Sequence, residues 1–215
     1  PLIKKKIMNN AEIVRIDDTS ERLDPLVKEL KEKDPEAKAV IINNPIEGLN
    51  YVMQQVDLAK KIIVLLDYNF KTGEPKGHDI VVKIREKTSL VYVIIMTAKQ
   101  FSTIPHNELI DFVNNDALAV VQNTVDTSEI INLVDKASYQ LSTRIDCALE
   151  QWIVNHPEDE LDAPYLRTVT GEEYSLKNIL AEVRKKSPFG KKMERNIIML
   201  AIDLLTRGKR EVDND

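Results

Sequence analysis

Five short apolar runs, each closing on a polar or acidic residue, predict an α/β domain built on a parallel sheet. Amphipathic stretches separate several of these runs, and two runs close directly on aspartates, at Asp17 and Asp67. Strand and helix alternating at this spacing form a doubly wound sheet, because right-handed crossovers place helices on both faces.

The runs are Glu12–Ile16, followed by Asp17 and Asp18; Ala39–Ile42, ending at Asn43, Asn44 and Pro45; Ile62–Leu66, ending at Asp67; Val91–Met96, ending at Thr97; and Leu118–Val121, ending at Gln122 and Asn123. They are continuous rather than alternating, as strands buried on both faces must be. Between them, Ser20–Lys33 sets Leu23, Leu26, Val27 and Leu30 on one helical stripe, and Gly77–Lys87 does the same with Ile80, Val81 and Ile84. Leu109, Ile110, Phe112 and Val113 mark a shorter helix. Five such strands in the first 125 residues fit a flavodoxin-like doubly wound five-stranded parallel sheet.

A small helical C-terminal unit is expected to follow. Asp126 and Glu129 fit a capping box, and a stripe of Ile130, Val134, Ala137, Leu141, Ile145, Ala148 and Trp152 predicts one helix running to about Val154. That stripe is long enough to pair with a second copy, which makes a homodimer one expectation and ordinary packing the other. Asn155–Pro164 is acidic, holds two prolines and reads as a linker or turn. Ser175 is placed to cap a helix over Leu176–Lys186, stopped by Ser187, Pro188, Phe189 and Gly190. The last helix, Lys191–Arg207, is apolar nearly all round, so it belongs in a core or an interface. The expected division is a domain over 1–140, a helix extension and linker over 141–158, and a helical output or interaction unit over 159–215.

Composition narrows the class further. Of 215 residues, 43% are apolar and 30% charged, which suits a soluble globular chain and argues against wholesale disorder. No run reaches the roughly 18–20 uncharged apolar residues that span a bilayer. The three N-terminal lysines are followed by no apolar core of a signal peptide. A single cysteine, Cys147, excludes an internal disulfide framework and a multi-cysteine zinc site, and His78, His106 and His156 share no ligand spacing. A cytoplasmic protein without membrane association is expected. Its net charge of −5 is divided unevenly: residues 165–210 carry +6 and residues 1–164 carry −8. Two units with different partners fit that asymmetry.

In a doubly wound sheet, ligands sit outside the carboxyl ends of the strands. Asp17, Asp18, Asp67 and Thr97 all fall there. Carboxylates converging at one edge repel one another unless a cation lies among them, and an oxygen donor set with open positions suits Mg²⁺. Thr97 is placed to donate its hydroxyl to a phosphoryl oxygen.

With these segments in order, residues 10–140 resemble the receiver domain of two-component response regulators. The resemblance rests on Ile13–Asp18 with its acidic pair, Val64–Asp67, Gly77–Arg85 and Val93–Ala98 with its Thr-Ala step. It implies that Asp67 accepts a phosphoryl group from a histidine kinase or phosphotransfer protein. It further implies that Asp17, Asp18 and the backbone carbonyl of Asn69 join Asp67 in holding Mg²⁺, and that Thr97 is the switch residue. Such a domain is a signalling module rather than an enzyme. A phosphohydrolase would need a second acid where Asn69 stands.

Two departures bear on the resemblance. Gln122 stands where the family places a phosphoryl-pairing lysine, and Ala119 where it places an aromatic switch residue. Gln122 offers a hydrogen bond without charge. Lys71 or Lys76, from the lengthened loop Tyr68–Lys76, is a candidate replacement cation. The alternatives left open are a scaffold that keeps the fold without phosphorylation and a DNA-binding transcriptional regulator. An unknown protein output partner is favoured over nucleic acid, because the last helix is too apolar to read base edges.

Overall fold

The computed structural model describes residues 11–19, 24–71 and 75–207. Strands β1 (Glu12–Ile16), β2 (Lys38–Ile42), β3 (Ile62–Asp67), β4 (Tyr92–Thr97) and β5 (Ala119–Gln122) form one parallel sheet in the order β2-β1-β3-β4-β5. The reversal of direction between β1 and β3 is the switch point of a doubly wound sheet. Ile16 pairs with both Ile42 and Leu66, and Asp67 with Met96, so the carboxyl ends of the strands lie level.

Alternation along the strands makes two cores. Ile13, Ile63, Leu65 and Ile94 face α1 (Pro25–Lys33) and α5 (Thr127–Thr143), while Val14, Val64, Leu66 and Ile95 face α2 (Pro45–Asp57), α3 (Gly77–Lys87) and α4 (His106–Asn114). Each fully buried side chain of this size contributes about 1.5–3 kcal/mol. Helix α1 begins at Pro25, capped by the Asp24 carboxylate on the Leu26 and Val27 amides. The earlier part of the expected Ser20–Lys33 helix, with Leu23, lies outside the described residues. Helix α2 was not legible in the apolar pattern. Pro45 reads as a strand terminator, yet it sits in the first turn, where proline lacks nothing a helix needs, and Asn44 caps it. Gly48 lets α2 lie against β1, since a Cβ there would be 2.8 Å from the Ile16 side chain.

Beyond the sheet, the expected single helix to Val154 is two. Arg144 takes an extended conformation (φ −73°, ψ 131°) between α5 and α6 (Ile145–Val154). Its guanidinium hydrogen-bonds Asp146 and lies 5.5 Å from the centre of the Tyr92 ring. The break rotates the stripe: Ile130, Val134, Ala137 and Leu141 are buried, but Ile145 and Trp152 are exposed. Cys147, Glu150 and Ile153 turn inward instead. The continuous pairing stripe expected from the sequence therefore does not exist.

The C-terminal unit is not purely helical. A two-stranded antiparallel hairpin, β6 (Pro164–Arg167) and β7 (Glu173–Ser175), precedes α7 (Leu176–Arg184), with Gly171 at φ +89° in its turn. Ser175 and Asn178 close a capping box at the start of α7. The last helix, α8, runs from Pro188 to Arg207. Pro188 begins it rather than stopping α7, for the same reason as Pro45, and the Ser187 hydroxyl accepts the Gly190 amide at 3.0 Å. A small core of Ile153, Leu176, Ile179 and Val183 joins α6 to α7 and takes in Phe189 and Met193. Among the described residues, no helix is long and apolar enough to cross a membrane.

This unit meets the sheet domain through Cys147 of α6, which enters the core on the α1–α5 face, and through polar contacts. Arg184 Nε donates to Glu150 Oε1 at 2.6 Å and its Nη2 to the Val56 carbonyl at 2.7 Å, while the Ser89 amide donates to the Arg184 carbonyl at 2.8 Å. Burial pushes the Glu150 carboxyl up, and the Arg184 charge pulls it back. Removing one partner of such a pair leaves a buried charge uncompensated. Arg184→Ala should lose about 3 kcal/mol in urea denaturation, and Arg184→Met with Glu150→Leu should recover most of it.

Candidate functional site: an acidic cluster at the carboxyl edge of the sheet

The site is built by strand ends. Beyond Ile16 the chain presents Asp17 and Asp18, β3 closes on Asp67, and β4 closes on Thr97, one position past the partner of Asp67. Ligand oxygens of Asp17, Asp18 and Asp67 all lie within 4.8 Å of one another. The topology thus brings together three carboxylates from two strands and sets the threonine on the next strand.

Asp67 carries the strongest sign of crowding. Burial pushes its carboxyl from 3.8 up to about 6; the Asn69 amide, which donates to Oδ1 at 3.3 Å, opposes this, and the charges of Asp17 and Asp18 reinforce it. A set of hard oxygens that repel one another, one of them protonating far above its ordinary range, fits a divalent cation of the Mg²⁺ type.

Among the described residues, two protein cations reach the cluster. Arg15, the one charged side chain on β1 besides Glu12, places Nη2 2.8 Å from Asp17 Oδ2 and Nη1 2.9 Å from Asp24. Asp17 Oδ1 also accepts from the Thr19 amide and hydroxyl. Lys71 Nζ lies 3.8 Å from Asp18 Oδ2. Of the two loop lysines, Lys71 faces the acidic site, while Lys76 turns to Glu108 at 3.7 Å.

The departures from the receiver pattern take definite positions. Gln122 Nε2 donates to the Lys99 carbonyl at 3.1 Å, so its amide is committed to the β4 loop. Ala119 is half-buried in β5 opposite Ile94. Thr97 is fully buried, and its hydroxyl oxygen accepts the Lys99 amide at 3.0 Å. The aromatic residue next to the acidic cluster is Tyr68, directly after Asp67. Its ring packs edge-on to Phe112, its hydroxyl bonds Glu108, and Lys99 Nζ lies 5.1 Å from its centre. Burial and Glu108 push the Tyr68 hydroxyl up to about 12. Arg15, Lys99 and Tyr68 were not singled out from sequence. A charge inside an otherwise apolar strand was the signal for Arg15; nothing local marked the other two.

Gly77 closes the site from below. A Cβ there would stand 2.4 Å from the Asp67 carbonyl, so only glycine lets α3 start against the end of β3. His78 packs edge-on to Phe112, and Cys147 is buried.

A five-stranded sheet in this order, with an acidic cluster at its carboxyl edge, defines the receiver fold, and the N-terminal part of the chain has it. It is similar to a CheY-like response regulator receiver domain protein from Methanospirillum hungatei JF-1, with TM-score 0.51 and 15% identity over 61% of this chain and 96% of that one. It is also similar to a signal receiver domain from Vibrio parahaemolyticus, with TM-score 0.50 and 14% identity over 67% of this chain and 98% of that one. No family model and no curated protein matches the chain in sequence.

A carboxyl that is raised in the folded state favours folding in its protonated form. That contribution is complete below about pH 4 and is lost as pH rises through about 6. In chelator, stability should fall across this window, and Asp67→Asn should remove the slope. The variant should be more stable than the parent by about 1–2 kcal/mol near neutral pH, a figure reduced for solvent access to the edge. Urea titrations at several pH values check both. Gly77→Ala should cost about 1–3 kcal/mol in the same assay, because backbone rather than a flexible side chain must yield.

Proposed function

We propose that the sheet domain is a phosphorylatable signalling receiver and that Asp67 is its acceptor. The observation that carries this reading is the convergence of Asp17, Asp18 and Asp67, all within 4.8 Å, at the switch-point edge of the sheet. An Asp67 carboxylate oxygen would attack phosphorus in line. The bond to a histidine nitrogen of a kinase or phosphotransfer protein would break, its electron pair leaving with the imidazole, to give an aspartyl phosphate. Asp17, Asp18, Asp67 and the backbone carbonyl of Asn69 would hold Mg²⁺, which supplies charge neutralisation at the transferred group. The product adds roughly 1.5–2 negative charges and three acceptor oxygens. Thr97 would report them from β4. Lys71 and Lys99, rather than Gln122, are the cations within the same edge that could answer the new charge. The C-terminal unit, latched through Arg184, would carry the output to a protein partner, in a cytoplasmic protein.

A second reading, a scaffold that keeps the fold without phosphorylation, is favoured by Arg15 and Lys71, which already partner Asp17 and Asp18. A DNA-binding output has less support, since the exposed positions of α8 from Ile198 to Leu205 are mainly apolar.

With Mg²⁺ and acetyl phosphate, intact-mass spectrometry should show an adduct of about 80 Da that is absent in Asp67→Asn and in chelator. Gln122→Lys should lengthen its lifetime several-fold by adding a charge-assisted bond. An unmodified parent, with no saturable Mg²⁺ binding by calorimetry, would establish the scaffold reading instead.

A further inference from the structure

The last helix divides at Ile197. Its first turns are docked: α7 and α8 cross at Gly190, where a Cβ would stand 2.3 Å from the Glu182 carbonyl, and Phe189 and Met193 enter the small C-terminal core. Helix α8 has 20 residues against nine in α7, about 30 Å against about 14 Å. Its second half runs on past the core with almost no cover. Ile198 is 39% exposed, Met199 and Leu200 58%, Ile202 49%, Leu204 62% and Leu205 68%.

We propose that this half of α8 pairs antiparallel with the same helix of a second copy of this chain. The apolar positions lie on two adjoining stripes at three-and-four spacing, Met193–Ile197–Leu200–Leu204 and Ile198–Ile202–Leu205. That is the pattern of a helix with neighbours on more than one side, as in a bundle assembled from two helical hairpins. The exposed apolar surface of Ile198, Leu200, Ile202, Leu204 and Leu205 is roughly 500 Å² per copy, and twice that is about the least a specific interface buries.

The α7–α8 hairpin sets the partner and its direction: the part of α8 that the nine-residue α7 leaves bare is matched by the same hairpin of a second copy. Crossing near Leu200 in antiparallel sense sets each apolar stretch opposite its own copy. It also leaves the two small C-terminal cores at opposite ends of the pair, where a parallel pair would bring them side by side. A membrane is a poorer occupant. The stretch 197–205 rises only about 13 Å, too short to cross a bilayer, and its apolar positions spread over more than half the helix circumference, wider than the single face that a helix lying in the interface buries.

Sedimentation equilibrium of the full chain at about 10–100 μM should give twice the chain mass. Leu200→Glu with Leu204→Glu should weaken association at least a hundredfold while leaving circular dichroism unchanged, and also the urea midpoint at dilutions where the parent is a monomer, because neither side chain enters a core. Leu200→Cys should form a disulfide-linked dimer under mild oxidation, whereas Tyr139→Cys, on exposed α5, should not; native Cys147 is buried and does not compete. A monomer throughout this range would overturn the proposal. So would association untouched by the double variant, open-ended assembly, or a monomer that instead binds vesicles of anionic phospholipid through α8.

Discussion

Three carboxylates held within 4.8 Å at the end of a buried parallel sheet repel one another, and much of the surrounding structure is arranged around that repulsion. Coulomb energy between like charges at this separation is about 1 kcal/mol in water and several times larger where solvent is partly excluded. The fold answers it in three ways. Asp67 is raised toward protonation, the Asn69 amide donates to it, and Arg15 and Lys71 approach the other two carboxylates. Arg15 does this at a cost, since its own Nε is buried and has no hydrogen-bond partner among the described residues. The protein's own cations thus answer the charges of Asp17 and Asp18, while Asp67 is answered by its neighbouring amide and its raised carboxyl.

The same edge links the cluster to the body of the domain. Tyr68 and Asn69 follow Asp67 directly, the Tyr68 amide donates to the Met96 carbonyl, and its carbonyl accepts from Gly77. A change in charge at Asp67 therefore acts on a backbone segment already tied to β4 and to the start of α3. Lys99 above the Tyr68 ring and Gln122 on the Lys99 carbonyl extend the connection to β5. The contact with the C-terminal unit lies at the other end of the sheet, among Val56, Ser89, Glu150 and Arg184. Polar contacts of this kind are directional, and they separate at less cost than an apolar seam of equal area once water can replace their partners. A signal from the acidic edge would have to cross the sheet to reach them.

The C-terminal unit combines a minimal core with a surplus of exposed apolar surface. Four buried side chains hold α6 and α7 together, while six large apolar residues of α8 face outward. Monomeric soluble proteins rarely carry an uncovered patch of that size. The proposed pairing of α8 with a second copy would supply the cover that this small core does not.

The sequence by itself determined the sheet domain. Continuous apolar runs can be satisfied only by strands covered on both faces, and Asp17, Asp18, Asp67 and Thr97 had to fall at their carboxyl ends because strand direction in a parallel sheet is uniform. It did not determine α2, where a proline that starts a helix looks like one that ends a strand. Nor did it determine the break at Arg144, since the three-and-four spacing continues through it and only the Asp146 and Tyr92 contacts draw the chain aside. The hairpin before α7 left no apolar alternation to read, being short and largely exposed. Tertiary structure alone decided which cations meet which carboxylates, for Lys71 and Lys76 are equivalent in sequence and differ only in the acid each can reach. It also decided the state of α8. So broad an apolar surface as that of α8 calls for cover, but whether its own chain supplies it depends on how far α7 extends beside it, and α7 stops after nine residues.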